Sequence, residues 1–167
     1  MFLHLGFAGY RAIALQDLKN ARTLSRALEN MGYYEVLSDI HRPVSSSILD
    51  VKLKMDQGDI EVCILMKEFM SDADCSQNYT PGLPVVSFKF SEAFRANHPE
   101  VNQKWIQTLL RSKGWIVPNY ELAPDLQDID ILRVVVRETV SEVLIERLVA
   151  DIVSLPGAFS TSLILSS

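Results

Sequence analysis

The 167-residue sequence lacks the positive surplus that marks most nucleic-acid binding proteins. Its 16 lysines and arginines are outnumbered by 21 aspartates and glutamates, which gives a net charge of -5. Phosphate contacts supply most of the affinity of such proteins, and they need a basic patch or stripe. No nucleic-acid partner is therefore expected.

The sequence also has few residues suited to disulfides or metal sites. Its two cysteines, Cys63 and Cys75, are twelve positions apart, and the three histidines are scattered. This pattern favours free thiols in a reducing compartment, with a disulfide or a metal site as the alternatives. Because no metal motif, glycine-rich phosphate loop or nucleophile elbow occurs, no metal is predicted.

Long apolar runs are missing as well. The N-terminal stretch MFLHLGFAGYR resembles a secretory signal, but it has no basic start and His4 interrupts it. No run is long enough to span a membrane. With 48% hydrophobic and 22% charged residues, the chain is predicted to be a cytoplasmic protein with one domain and its own core.

Apolar spacing predicts alternating helices and strands. A helix is expected over 3–31, ended by Gly32, and another over about 100–112, ended by Gly114. A last helix is expected from Ser141 to a stop at 156–157. Strands are predicted at 34–39, 82–91, 115–122 and 130–138. Pro118 cannot donate to a ladder, so the third strand should lie at an edge or end there.

These elements predict an α+β two-layer sandwich, with a mostly antiparallel sheet and helices on one face. The domain is predicted to cover 1–157, and residues 158–167 are expected to form a loosely held tail. Residues 44–81 form an insertion whose apolar run, 60–66, suits either a strand or a helix.

The stretch DIDILRVVVRE suggests what the uncovered sheet face does. Because strand side chains alternate, Leu132, Val134 and Val136 should face the core. A face without helices needs solvent, a partner or a ligand. This face is predicted to be partly apolar and cationic, and thus able to hold an anion. Its predicted members are Val85, Ser87, Lys89, Ile131, Arg133, Val135 and Arg137.

Five stretches together resemble the C-terminal part of fungal glutamate decarboxylases, which are pyridoxal-phosphate group II decarboxylases of the aspartate-aminotransferase fold type. In chain order they are FLHLGFAGYRAIALQDLKNARTLSRALE, VLSDIHRP, GLPVVSFKF, GWIVPNYELAPD and ILRVVVRETVS. The resemblance runs over most of residues 2–153 and is weakest over 44–79. It implies the small C-terminal domain of that fold.

The resemblance also implies which parts to look for elsewhere. In that family a preceding large domain carries the phosphate-binding loop, the aspartate facing the pyridine nitrogen and a His-Lys pair. In these 167 residues the histidines precede Leu5, Arg42 and Pro99, so no His-Lys pair occurs. Since the cofactor supplies the electron sink, this chain alone is expected to bind no pyridoxal phosphate and not to decarboxylate glutamate.

One role of the family is carried over to this sequence. The arginine that holds the substrate's α-carboxylate falls on Arg133, and a guanidinium fork suits a carboxylate. Arg137 shares that face by alternation, with a solvated arginine or an ion pair as the alternative.

The remaining candidates each have a simpler alternative. His41 and Lys89 are the candidate catalytic groups, although His41 suits a loop and Lys89 a solvated surface. Ser87 and Asn119 are candidate substrate-binding residues that could equally be exposed or cap the sheet edge. Tyr120 shares this choice with Asn119, and His98 suits a turn.

Three hypotheses follow from these observations. The chain could bind an acidic metabolite through Arg133, with cofactor-independent isomerase, lyase or cyclase chemistry. It could be a non-catalytic accessory subunit or remnant that docks on a decarboxylase. It could also complete the active site of a separately encoded large domain. The expected partners are a second copy of the chain, a decarboxylase-like chain and an acidic small molecule.

Overall fold

The structure is a computed structural model that describes residues 2–44, 76–122, 124–126 and 129–164. The helices are α1 (Phe2–Asn30), α2 (Glu92–Asn97), α3 (Lys104–Ser112) and α4 (Glu142–Ile164), with a 3-10 turn at Ser76–Asn78. The strands are β1 (Tyr34–Val36), β2 (Val85–Phe90), β3 (Asn119–Glu121) and β4 (Asp130–Val135).

The four strands form one antiparallel sheet in the order β1-β2-β4-β3. β3 is an edge strand that begins directly after Pro118, as the proline predicted. All four strands are shorter than the sequence predicted. The fold is therefore the predicted α+β sandwich.

The core lies between one face of the sheet and the helices. Val86, Phe88 and Phe90 of β2 alternate inward, and Leu132 of β4 is fully buried among them. Helices α1, α3 and α4 close this core with the following buried residues: Ala21, Leu24, Leu28, Ile106, Leu110, Ile145, Leu148, Ile152 and Leu155. Strand alternation thus leaves the opposite face free of these helices.

Helix α1 has two unlike halves. From Asn20 onward it packs on the sheet, whereas none of the side chains of residues 5–19 is buried. Gly6, with φ 60° and ψ -179°, bends the helix near its start. The helix ends as predicted, with Gly32 in the left-handed region at φ 72°, where a side chain would be strained.

The chain enters and leaves residues 45–75 at adjacent points. Pro43 and Tyr79 form an antiparallel bridge. The Val44 N–H donates to the carbonyl of Asn78 at 3.0 Å, and the Thr80 N–H to that of Arg42 at 2.9 Å. Cys63, Cys75 and the predicted run 60–66 lie outside the described residues.

The prediction of one helix over 100–112 was wrong in its first part. Helix α2 precedes it, capped by Ser91, whose Oγ accepts from the Phe94 N–H at 3.2 Å. His98 ends α2 in the turn that the sequence predicted, and α3 begins only at Lys104. A serine followed by a glutamate is a recognisable helix start.

The predicted stop at 156–157 was also wrong, because α4 continues to Ile164. Residues 158–164 therefore belong to this helix. A proline removes one backbone donor and favours a kink, but it does not oblige a helix to end. The predicted start was right, since Ser141 Oγ accepts from the Leu144 N–H at 3.4 Å.

Candidate functional site

The sheet face opposite the helices, called here the open sheet face, consists of Val85, Ser87, Lys89, Ile131, Arg133 and Val135. The register places Ser87 opposite Arg133 and Val85 opposite Val135. On the other side of β4, Tyr120 lies opposite Ile131. Val135 is 53% exposed, whereas Ile131 is 3% exposed although it is not part of the helix-side core. Arg133 thus lies between a buried end and an open end of this face.

Arg133 is exposed, and its guanidinium carbon lies 5.4 Å from the centroid of the Tyr120 ring. Its backbone N–H donates to the carbonyl of Pro118 at 3.2 Å, which ties β4 to the start of β3. Among the residues that the structure describes, no carboxylate forms an ion pair with Arg133. A permanently charged group is therefore available on this face.

Ser87 and Arg137 flank this position without forming a pocket around it. The backbone of Ser87 is engaged, since its N–H donates to Ser38 Oγ at 3.3 Å and its carbonyl accepts from the Leu37 N–H at 2.8 Å. Arg137 is exposed and lies two residues beyond the end of β4, so it is not on the strand as predicted.

Lys89, a candidate catalytic group, is held by a neighbouring strand. Its Nζ lies 3.2 Å from Glu35 Oε2, and Glu35 is its partner in the register of β1 and β2. Only 18% of the lysine side chain is exposed. Lys89 is therefore engaged by Glu35 across the two strands.

His41, the other candidate, lies away from the open sheet face. It is buried beside α1, where Nε2 lies 3.0 Å from Glu29 Oε2, although the ring N–H is not aligned for a hydrogen bond. Glu29 also pairs with Arg42 at 2.9 Å. His41 thus lies beside α1, whereas Arg133 lies on the open sheet face.

Asn119 connects β3 to α3. Its N–H donates to Gln107 Oε1 at 2.6 Å, and its Oδ1 accepts from Gln103 Nε2 at 3.0 Å. The same Gln103 nitrogen donates to the Asp130 carbonyl at 2.9 Å, and Gln103 Oε1 accepts from the Phe90 N–H at 2.8 Å. Asn119 is thus engaged within the fold by its backbone N–H and its Oδ1.

A cleft of about 590 Å³ opens where α2 meets α3, away from Arg133. Its charged groups are mixed, because Arg95 lines it together with the carboxylates of Glu100 and Asp130. The His98 ring packs on Phe94 at 4.8 Å, and its Nδ1 is 3.6 Å from Glu100 Oε1. The lining, which also includes Phe90, Ala96, Pro99, Val101, Asn102 and Gln103, brings together none of the predicted site residues.

The described cleft does not offer the lysine that pyridoxal phosphate requires. That cofactor needs a lysine for its Schiff base and a charged partner for its ring nitrogen. The cleft lining contains no lysine. Of the four lysines in the described residues, Lys89, Lys104 and Lys113 are each ion-paired with a carboxylate, and Lys19 lies on α1. Nor do three or more metal-ligating side chains come together within the described part of the chain.

Two polar clusters were not predicted from the sequence, because their members are far apart in the chain. Buried Arg22 donates through Nε to the Ile40 carbonyl and through a terminal nitrogen to Ser76 Oγ, with its guanidinium carbon 4.4 Å from the Tyr79 ring centroid. In the second cluster, Asp151 of α4 accepts hydrogen bonds from Trp115 Nε1 at 2.7 Å and from Lys113 Nζ at 2.9 Å. Both clusters fasten loops to helices.

Comparison with solved structures first identifies the class of fold. A solved glutamate decarboxylase from Lactobacillus brevis superposes with a TM-score of 0.61 over 92% of this chain and 25% of its own. At 20% identity this likeness shows the fold alone. The chain is thus an α+β domain like the one in that enzyme. No helix in the described segments has the length and apolarity needed to cross a membrane.

Sequence relatives then identify the region. The glutamate decarboxylase of Saccharomyces cerevisiae is 34% identical over 161 residues, which are 92% of this chain and 25% of the yeast protein. That of Solanum lycopersicum is 31% identical over 150 residues, or 90% of this chain and 21% of the tomato protein. No family model matches. The chain is homologous to the C-terminal region of glutamate decarboxylase, and it spans about a quarter of the length of these curated relatives.

Proposed function

We propose that the open sheet face binds the carboxylate of a small acidic molecule, with Arg133 as the anchor. The observation that carries this proposal is the contrast between the two cations on the face. Lys89 is paired with Glu35 at 3.2 Å, whereas Arg133 is exposed and has no ion pair among the residues that the structure describes.

The chemistry of Arg133 suits this role. A guanidinium is charged at every pH that a protein tolerates, and its parallel N–H groups match the two oxygens of a carboxylate. Val85 and Val135 lie opposite each other next to the Ser87–Arg133 pair and offer an apolar surface for a short carbon chain. Because the relatives are named for glutamate, an acidic amino acid is the proposed ligand class.

The proposal is binding without a chemical step of its own. The isomerase, lyase or cyclase chemistry predicted as possible needs an acid or base within reach of the ligand. Lys89 is occupied by Glu35, and His41 lies beside α1 on the helix side of the sheet. Neither candidate is therefore poised beside Arg133.

A thermal-shift titration of the purified chain with L-glutamate tests the proposal. A ligand that binds only the folded state adds about 2.7 kcal/mol of stability at a concentration of 100 Kd, which raises the melting temperature. We expect Arg133→Ala to lose this shift and the matched control Arg137→Ala to keep it. Binding that survives Arg133→Ala would contradict the proposal, as would equal loss in both variants.

A second proposed function is docking on a decarboxylase-like large domain. Residues 5–19 of α1 bury no side chain, and Phe7 is 83% exposed. Most residues of 5–15 are apolar, and they occur on every side of the helix, a composition typical of helices that are buried. The yeast relative contains about three times as many residues outside the matched region as within it. That larger part of a decarboxylase is the proposed partner.

Light scattering coupled to size exclusion tests this second proposal. The chain is mixed with a glutamate decarboxylase fragment that lacks its C-terminal quarter, and Phe7→Asp is compared with Val143→Asp, a control exposed on α4. We expect a complex that only Phe7→Asp disrupts. A dimer of the chain alone, disrupted by the same variant, would identify a second copy as the partner instead.

A further inference from the structure

We infer that Tyr120 is the positioning residue for Arg133, and that its ring holds the guanidinium with the N–H edge free for a carboxylate. This inference rests on the proposed carboxylate binding and assigns a role to a residue on the neighbouring strand. It concerns the ring of Tyr120 and not its hydroxyl group.

The sheet register brings the two side chains together. Tyr120 lies opposite Ile131, and Arg133 is two residues further along β4 on the same face. Such a diagonal cross-strand pair is within reach of an aromatic and a long side chain. The guanidinium carbon is 5.4 Å from the ring centroid, which is within the roughly 6 Å over which a cation is attracted to a ring.

This contact resolves a difficulty of the proposed site. An exposed arginine on an open sheet can adopt many rotamers, and ordering it upon binding weakens affinity. A guanidinium can stack on an aromatic face and still direct its N–H groups outward. Because an ion pair would occupy those donors, a ring is the better support for an arginine that must bind an anion.

Tyr120 can act as a support because its strand is fixed. An edge strand of three residues has little of its own to hold it, but Asn119 donates one hydrogen bond to Gln107 of α3 and accepts another from Gln103, the residue before that helix. At the other end, the Leu122 N–H donates to the Ile129 carbonyl at 3.2 Å. The engagement of Asn119 therefore places the adjacent ring, which is an indirect contribution to the site.

The first test needs no ligand. The Nε–H resonance of Arg133, assigned by its disappearance in Arg133→Lys, reports the ring current of a stacked aromatic group. We expect this resonance to move toward its unstacked position in Tyr120→Leu and to stay in place in Tyr120→Phe. A resonance that Tyr120→Leu leaves unmoved overturns the inference.

The second test measures L-glutamate affinity in the same variants. A cation–π contact at an exposed site corresponds to a change in Kd of roughly two- to fivefold. We expect a loss of this size in Tyr120→Leu and none in Tyr120→Phe. Tyr33→Leu, which removes a similarly exposed tyrosine beyond the helix end, is the matched control and should bind normally.

The outcomes separate this inference from the proposed function. If Tyr120→Phe loses as much affinity as Tyr120→Leu, the hydroxyl contacts the ligand and the inference is wrong. If both variants bind like the unaltered chain, the ring has no positioning role. If the unaltered chain does not bind L-glutamate, the proposed function fails, and the resonance of Arg133 alone decides whether Tyr120 orients it.

Discussion

Tyr34 places a hydroxyl group inside the core, where none of the residues that the structure describes forms a hydrogen bond with it. The residue is 3% exposed, and its ring packs against Phe88 at 5.4 Å and Phe90 at 5.7 Å between centroids. Burial raises the pKa of the phenol far above its ordinary value of 10.0, because the charged form would lose its hydration. The aromatic packing therefore holds an unsatisfied polar group in place.

We expect Tyr34→Phe to stabilise the fold by about 1 kcal/mol, because an unsatisfied buried donor costs free energy that the variant does not pay. Urea denaturation of both chains measures the difference. Tyr33→Phe is the control, since Tyr33 is an exposed neighbour whose ring packs on Phe94. A clear loss of stability in Tyr34→Phe would mean that the hydroxyl has a partner.

Asp151 gives the fold a dependence on acid. Its hydrogen bonds from Trp115 and then from Lys113 hold the pKa of the carboxyl below its ordinary value of 3.8. A lowered pKa stabilises the folded state above the unfolded pKa, and this contribution is lost as the pH falls through the lower folded value. The relevant window therefore begins near pH 4 and extends below it.

We expect Asp151→Asn to melt at a lower temperature than the unaltered chain at pH 7. The gap should narrow as the pH falls below about 4, where the aspartate is also uncharged. Melting curves across this range measure the gap. Asp125→Asn, at an exposed loop position, controls for the loss of a surface charge. A gap that does not change with pH would rule out the charged hydrogen bonds as its cause.

For individual residues, the sequence could indicate which face of a strand a side chain occupies, but not which other residues it contacts there. The alternation around Arg133 is local and was predicted correctly. Lys89 and Asn119 were expected to bind substrate or act in catalysis, yet Glu35 and the glutamines of α3 engage them. Those partners come from other elements, and only the folded register brings them close.

Among the helices and strands, β4 contributes one face to the core and the other to the open sheet face. Leu132 is fully buried in the core, while the adjacent Arg133 is exposed on the open sheet face. We expect Leu132→Ala to destabilise the fold by about 2–5 kcal/mol through the cavity it leaves. Arg133→Ala should change stability by less than about 0.5 kcal/mol, as surface substitutions do. Chemical denaturation of the two variants checks this, and similar losses would mean that Arg133 is structural.

The fold class was predictable because periodicity survives in each long element, as in α1 and β2. Element ends were less predictable. Helix α2 depends on a single capping serine, and α4 passes through Pro156 with no local pattern to announce it. Gln103 and Gln107, which contact Asn119 of β3, have no sequence signature. In the sequence, a glutamine that bonds to another element cannot be distinguished from one exposed to solvent.

For the molecule as a whole, α1 extends well beyond its own buried part. At 1.5 Å per residue its 29 residues extend roughly 43 Å, and the buried part begins only at Asn20. The acidic pair Asp17 and Glu138 lies where the exposed half meets the body, and the half-buried position of Asp17, followed by repulsion from Glu138, raises the pKa of Asp17. A cationic partner side chain would be favoured at that point.

The bridge between Pro43 and Tyr79 has a consequence for how this chain can change over time. Residues 44 and 78 are hydrogen-bonded at 3.0 Å, so the segment between them starts and ends at one place. Closing a flexible loop costs free energy that grows only with the logarithm of its length, about 0.6 kcal/mol for each doubling. Changes in the length of the segment between residues 44 and 78 should therefore cost little closure free energy. Over evolution this segment can be lengthened, shortened or exchanged while the sheet and Arg133 stay unchanged.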